Sequence, residues 1–181
     1  AKRMREQGNL PEAIRGFTQY AKSFPNGAHA NSSLLAIGQM YAKLREDEKA
    51  QNHYRSVISN VSSKHARASA EDLSAAAQAR LELLSALEAS FEKAQLRLPE
   101  QQLKADINAN LQALERLNKG YIEVMDFGDG TWGVEAFRRM ALVYRSFASK
   151  LEDKFEGVAF VAGPETGCPL LDGALAAMEC D

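Results

Sequence analysis

Cysteine is nearly absent from this 181-residue chain. The two that occur, Cys168 and Cys180, sit close to the end in a stretch with no histidine. Their spacing is not the paired C-x2-C pattern of a zinc site, so a structural metal is not expected. A disulfide between them is one reading, and would imply an oxidising compartment. Two unrelated thiols is the other. Histidine is also scarce: His29, His53 and His65 are too far apart in sequence to form a two-histidine helical metal site, and each is expected on a solvated surface. No run approaches the ~20 apolar residues of a membrane-spanning helix. No block of like charge occurs, since 22 basic and 24 acidic residues are interspersed. Without a basic patch, nucleic acid and anionic bilayers are not expected partners.

Catalytic signatures are missing too. The chain has no G-x-S-x-G elbow, no phosphate loop and no Gly-rich dinucleotide turn. Asp126-Phe127-Gly128 copies the kinase magnesium triplet, but no catalytic loop precedes it. Placing Gly130 at the invariant glycine of a calcium loop puts Met125 and Phe127 where oxygen ligands belong. The aspartate-box likeness of Asp126 to Trp132 needs a strand hairpin, whereas this segment joins helices. Carboxylates such as Glu46 with Asp47, or Glu152 with Glu156, lie on polar faces and read as solvated. No enzyme activity and no cofactor are expected.

Helical periodicity is what the chain has in abundance. Leu10, Ala13, Ile14, Phe17, Tyr20 and Ala21 recur at three-and-four spacing and mark one apolar face. Leu34, Ile37, Gly38, Tyr41 and Leu44 mark a second, and Ala50, Tyr54, Val57 and Ile58 a third. Gly8-Asn9, Pro25-Asn26-Gly27 and Arg45-Glu46-Asp47 punctuate them. Connections this short make antiparallel neighbours. Ala13 pairs with Ala50, Phe17 with Tyr54 and Tyr20 with Val57, always 37 residues apart, as stacked helical hairpins require.

Two longer helices are expected next, with Asp72 at the start of the first. Ala77, Leu81, Leu84, Leu87, Phe91, Ala94 and Leu98 make its seam, and Pro99 divides it from the second. Leu103, Ile107, Leu111, Leu114, Leu117 or Asn118, Tyr121 and Met125 make the seam of the second. The turn at Asp126-Phe127-Gly128-Asp129-Gly130 precedes a helix capped by Thr131, with Phe137, Met140, Ala141, Tyr144, Phe147 and Leu151 on its apolar face. Beyond Phe155 the periodicity fails, although Leu170 to Met178 reads as one last short helix.

These motifs resemble the tetratricopeptide repeat, whose first helix carries W-x2-L-G-x2-Y and whose second carries A-x3-F followed by a proline. Leu34-x2-Ile37-Gly38-x2-Tyr41 resembles the first and Ala50-x3-Tyr54 the second. Ala13-x3-Phe17 with Pro25 gives an earlier second helix, and Phe137-x2-Met140-Ala141-x2-Tyr144 begins a third copy that lacks an A-x3-F partner. Ala1-x2-Met4 reads as the tail of a missing first helix, so a piece of a longer protein is expected. The resemblance implies an all-α stack of antiparallel hairpins: repeat-like helices over 1–60, an inserted long hairpin over 61–125, then a further repeat-like helix and an irregular Cys-containing tail over 126–181. It also implies a scaffold that presents a groove to a protein or peptide. The outward residues of the groove helix are expected to be Ser32, Leu35, Gln39, Ala42 and Lys43, while Ile37 and Tyr41 belong to the core. That mixed set is unlike the basic clamp of cochaperones, so an acidic tail is not the expected ligand. The 37-residue step, and the likeness of Gly120 to Tyr144 to repeat proteins of gliding bacteria, point to a bacterial envelope or motility complex. A periplasmic or envelope location follows from that likeness, with the cytoplasm as the alternative. A self-associating structural subunit, packing its long hairpin on a second copy, is the runner-up, followed by a non-catalytic part of a larger enzyme.

Overall fold

A computed structural model describes residues 1, 9–64, 67–155, 160–162 and 169–171. The described chain is all-α in architecture. Six helices follow one another: α1 (Leu10–Ser23), α2 (Ala30–Lys43), α3 (Asp47–Ser62), α4 (Ala70–Lys93), α5 (Glu100–Asp126) and α6 (Gly130–Phe155). A short antiparallel pair, β1 (Phe160–Ala162) with β2 (Pro169–Leu171), comes after them. Leu170 and Leu171 therefore belong to a strand, not to the last helix expected over Leu170 to Met178. Residues 172–181 lie outside the described residues, as do Cys168, Cys180 and His65.

Local chemistry sets the helix ends. Asn9 accepts from the backbone of Glu12 at the start of α1, with Pro11 in the first turn. At α4, Ser69 is the cap and Asp72 completes a capping box, each side chain satisfying the other's backbone N–H. At α6 the cap is Asp129, whose Oδ1 accepts from the backbone N–H of Trp132 at 2.9 Å. Thr131, the expected cap, lies inside the first turn because the helix begins at Gly130. The turn before it needs one left-handed residue, and Gly128 supplies it at φ 74°.

The α4 helix stops at Lys93, before its seam would have reached Ala94 and Leu98. Asp106 of α5 holds the connection away from helical geometry. Its carboxylate accepts from the Arg97 backbone N–H (3.0 Å), from Arg97 Nε (3.0 Å) and Nη2 (2.8 Å), and from Gln102 (3.1 Å). Leu98 is left 72% exposed, whereas Leu96 is buried. On α5, Asp106 and Asn110 are buried one turn apart, with Asn110 Nδ2 donating to the Asp106 carbonyl at 2.8 Å, while Leu111 faces solvent.

Each helix packs on the next, and α4 also packs on both α2 and α6. The last two contacts are between parallel helices. His29 and Asn31, at the start of α2, meet Glu71 and Asp72 at the start of α4. Farther along, Trp132 donates to Ser74, Arg139 to Glu88 and Ser146 to Glu92, so position rises together on α4 and α6. The three helices α2, α4 and α6 thus form one row, and the long hairpin stands within it. Alanines at 75, 76, 77 and 79 are all buried and give α4 little bulk where its neighbours approach. One core runs from Leu35 and Tyr54 through Leu81 and Tyr121 to Phe147, and a smaller cluster joins Ala13 to Ala36, Ile37 and Met40.

Glycine sits at two of the closest helix approaches. A β-carbon on Gly38 would lie 2.5 Å from Cε1 of Tyr54, and one on Gly120 would lie 2.4 Å from Cδ2 of Leu84. Both hairpins therefore close by setting a large side chain over a residue that has none.

Candidate binding cleft beside two parallel helices

The expected groove residues stand on α2, and the course of α4 decides which of them are accessible. Leu35 is not on the outer face. It is 7% exposed and belongs to the main core, because α4 packs along that side of α2. Ser32 is half-buried and lines a 660 Å³ cleft with Phe17 and Tyr20 of α1, His29, and Glu71 of α4. Gln39, Ala42 and Lys43 line a second cleft of 910 Å³. The expected single strip is therefore divided.

The larger cleft is completed by four residues outside that strip: Met40, Arg45, Tyr54 and Glu82. Arg45 gets there through an unusual backbone. It ends α2 in the left-handed region at φ 62°, its N–H bonded to Ala42 O at 3.0 Å and that of Glu46 to Tyr41 O at 2.9 Å. This double closure is the one that glycine usually provides, and a branched or long side chain there costs about 1 kcal/mol. Tyr54 reaches the cleft from α3 across Gly38. Glu82 comes from α4, which the parallel pairing brings alongside.

Tyr54 is 3% exposed, and its hydroxyl is buried with no hydrogen-bond partner. Burial, helped by the charge of Glu82, holds that hydroxyl above the ordinary phenol range, so it remains a neutral donor. Among the described residues, the side chains of Gln39, Lys43 and Arg45 make no hydrogen bond or ion pair. Four polar groups with unused donors thus surround one hollow, opposite a single carboxylate. Such a set suits ligand carbonyls, with Glu82 left to accept an N–H.

The smaller cleft is polar at its mouth and already satisfied. His29 Nδ1 lies 2.8 Å from Glu71 Oε1, and Ser32 donates to the His29 carbonyl at 3.2 Å. The hydrogen bond to His29 is the chief cause that holds the Glu71 carboxyl below its usual range. His29 is therefore exposed but paired, and His53 is not solvated as expected. It stacks on Tyr41 with ring centroids 5.6 Å apart. Tyr41, placed in the core by its spacing, is only partly buried.

The polar groups between α4 and α6 close on themselves. Tyr121 donates to Glu88 at 2.7 Å, Arg139 reaches Glu88 and Glu135, and Arg138 pairs with Glu135. Arg138 and then Arg139 hold the Glu135 carboxyl down to about 2. This network ties helices together and leaves few free donors. Among the described residues no group of three His, Cys, Asp or Glu is placed to hold a metal ion, and no helix is long and apolar enough to cross a membrane.

No family model matches the chain, and neither the curated proteins nor the solved structures contain a match.

Proposed function

We propose that the protein is a binding scaffold of tetratricopeptide-like hairpins, and that the cleft between Gln39, Lys43, Arg45, Tyr54 and Glu82 receives an extended or helical segment of another protein. The observation that carries this reading is the unpartnered Tyr54 hydroxyl beside three polar side chains that are themselves unengaged. A buried donor without an acceptor costs on the order of 1–3 kcal/mol. A ligand carbonyl would supply the missing acceptor. The left-handed Arg45 supports the same reading, since strained backbone is concentrated at functional sites.

The parallel row of α2, α4 and α6, with α3 and α5 joining its members and α1 packed before α2, is the order expected of stacked hairpins that present a common face. Binding is the role for which this cleft is suited, since it offers several unengaged hydrogen-bond donors and one carboxylate. A setting in a bacterial envelope or motility complex is proposed on the residue likeness alone, with a cytoplasmic setting as the alternative.

The test is site-specific photo-crosslinking. A photoreactive residue replacing Lys43, and another replacing Lys119 on an exposed face of α5, are each carried into lysate of the source cell. Mass spectrometry then identifies the crosslinked peptides. One discrete partner peptide joined at position 43 and absent at 119 is expected. Equal labelling at both positions would overturn the proposal.

A further inference from the structure

The turn between α1 and α2 holds the chain's one Asn-Gly pair, Asn26-Gly27. Packing keeps glycine there. A β-carbon on Gly27 would stand 2.9 Å from Cβ of Phe24 and 3.2 Å from the Tyr20 hydroxyl. Asn26 is exposed, and its side-chain carbonyl accepts from Lys64 Nζ at 2.7 Å, a contact that ties the turn to the chain just beyond α3. An asparagine in this position carries its own nucleophile. The backbone nitrogen of the following residue can close a five-membered ring on the side-chain carbon, and glycine has no β-carbon to obstruct the approach.

We infer that Asn26 is a site of spontaneous deamidation, promoted by the Lys64 ammonium. The Gly27 nitrogen gives its proton to hydroxide and bonds to Cγ of Asn26. Negative charge then develops on Oδ1, the atom to which Lys64 donates, so the ammonium stands where an oxyanion donor is needed. The Cγ–Nδ2 bond breaks, the departing nitrogen takes a proton from water, and ammonia leaves behind a succinimide. Water opens that ring at either carbonyl. One product is aspartate at position 26, and the other is iso-aspartate, in which the backbone runs through the former side chain.

One hydrogen bond restrains the reaction in the folded chain. The Gly27 N–H donates to the Phe24 carbonyl at 2.9 Å, so the nitrogen is released only when this turn opens. No helix has to unfold for that, since α1 ends at Ser23 and α2 begins at Ala30. The two products differ in consequence. Aspartate at position 26 faces Lys64 and converts an ammonium–amide contact into an ion pair. Iso-aspartate adds a carbon to the backbone, and the turn that bonds Gly27 to Phe24 and to Ala30 loses its geometry. The start of α2, with His29 at the smaller cleft, is then loosened. The larger cleft takes no part, so either proposal can fail without the other.

The experiment is ageing of the folded chain in mildly alkaline buffer, followed by peptide mapping with electron-transfer fragmentation, which separates aspartate from iso-aspartate. Both products are expected at position 26. Neither is expected at Asn31, which lies in the same tryptic peptide but within α2, its Nδ2 donating to Asp72. Lys64→Met should slow the change by about tenfold, less than a buried oxyanion donor gives, because solvent screens an exposed charge. Lys64→Arg should keep most of the rate. A variant that lost its fold would age faster, the opposite of the effect expected for Lys64→Met. In denaturant the parent and both variants should age alike, because the contact is gone. No product at position 26 in the folded parent would overturn the inference. Equal rates for the folded parent and Lys64→Met, or a slowing that persists in denaturant, would overturn the part assigned to Lys64.

Discussion

Adding one methyl group at Gly38 separates packing from helix propensity in a single measurement. A β-carbon there would stand 2.5 Å from Cε1, 2.8 Å from Cδ1 and 3.2 Å from Cζ of Tyr54. Carbon atoms rest at about 3.5–4.0 Å, so the ring must move by roughly 1 Å. It has little room, because Tyr54 is 3% exposed and its helix neighbours Ala50 and Val57 are 2% and 0% exposed. Overpacking of this kind costs about 1–3 kcal/mol. Alanine in place of a helical glycine returns roughly 0.5–1 kcal/mol. Gly38→Ala is therefore expected to destabilise by about 0.5–2 kcal/mol, which at this size lowers Tm by roughly 1–8 °C. Gly133→Ala is the internal control: the nearest atom to its β-carbon is Met125 Cγ at 4.0 Å. The same substitution there is expected to stabilise by roughly 0.5–1 kcal/mol. Thermal unfolding followed at 222 nm reads both. Combining Gly38→Ala with Tyr54→Leu should recover more than about 0.5 kcal/mol of the loss, as residues in contact do. If Gly38→Ala raised Tm as Gly133→Ala does, the close contact between α2 and α3 would be wrong.

Further outcomes are expected from the same contacts. Gly120→Ala meets Leu84 Cδ2 at 2.4 Å and should likewise lower Tm, with Leu84→Ala relieving the clash while adding its own cavity cost, measured by the same melts. Tyr54→Phe removes a buried hydroxyl that has no partner and should stabilise the free protein by on the order of 1 kcal/mol in chemical denaturation. Arg45→Gly relieves the left-handed backbone and should add about 1 kcal/mol by the same assay. The Asp106 carboxyl is held well below its ordinary value, chiefly by the Arg97 guanidinium and then by Gln102 and the Arg97 backbone N–H. Its contribution to stability is therefore complete above the unfolded pKa of ~3.9 and declines only as pH falls below that. Asp106→Asn should lower Tm at pH 7, and the gap to the parent should narrow below about pH 4.

The part of the fold that could be read from residues is the part set by local spacing. The faces built on Ala13, Ile37, Tyr54, Leu81 and Tyr121 lie where their periodicity placed them, and the close approach at Gly38 follows from a small residue facing an aromatic one. Spacing failed where a distant element decided the matter. Leu35 has the position of an outward residue on its own helix, but α4 covers it, and nothing within α2 announces that contact. Phe137 and Tyr144 have core spacing, yet no described helix covers them. Leu98 continues an apolar seam, but the Arg97 bond to Asp106 ends the helix first. The cleft was half legible for the same reason. Gln39, Ala42 and Lys43 lie on one helix face, whereas Arg45 reads as a turn, Tyr54 as core and Glu82 as part of a separate hairpin. Only the parallel approach of α4 to α2 brings Glu82 to them. A period of about 41 between His29–Asn31 and Glu71–Asp72 was a signal for it, masked because the helices that follow are longer than the earlier pair.

The central claim is that the cleft on α2 recognises a partner through its unengaged polar groups, and calorimetric titration with the peptide identified by crosslinking tests it most directly. Gln39→Glu combined with Lys43→Ala changes two side chains that hold nothing in the free protein, so its stability should stay within about 0.5 kcal/mol of the parent. Its affinity for that peptide should fall by about tenfold or more, which corresponds to about 1.4 kcal/mol of lost binding. Tyr54→Phe should weaken binding as well while making the free protein more stable. Unchanged affinity in both variants would contradict the account and place the recognition site elsewhere on the stack.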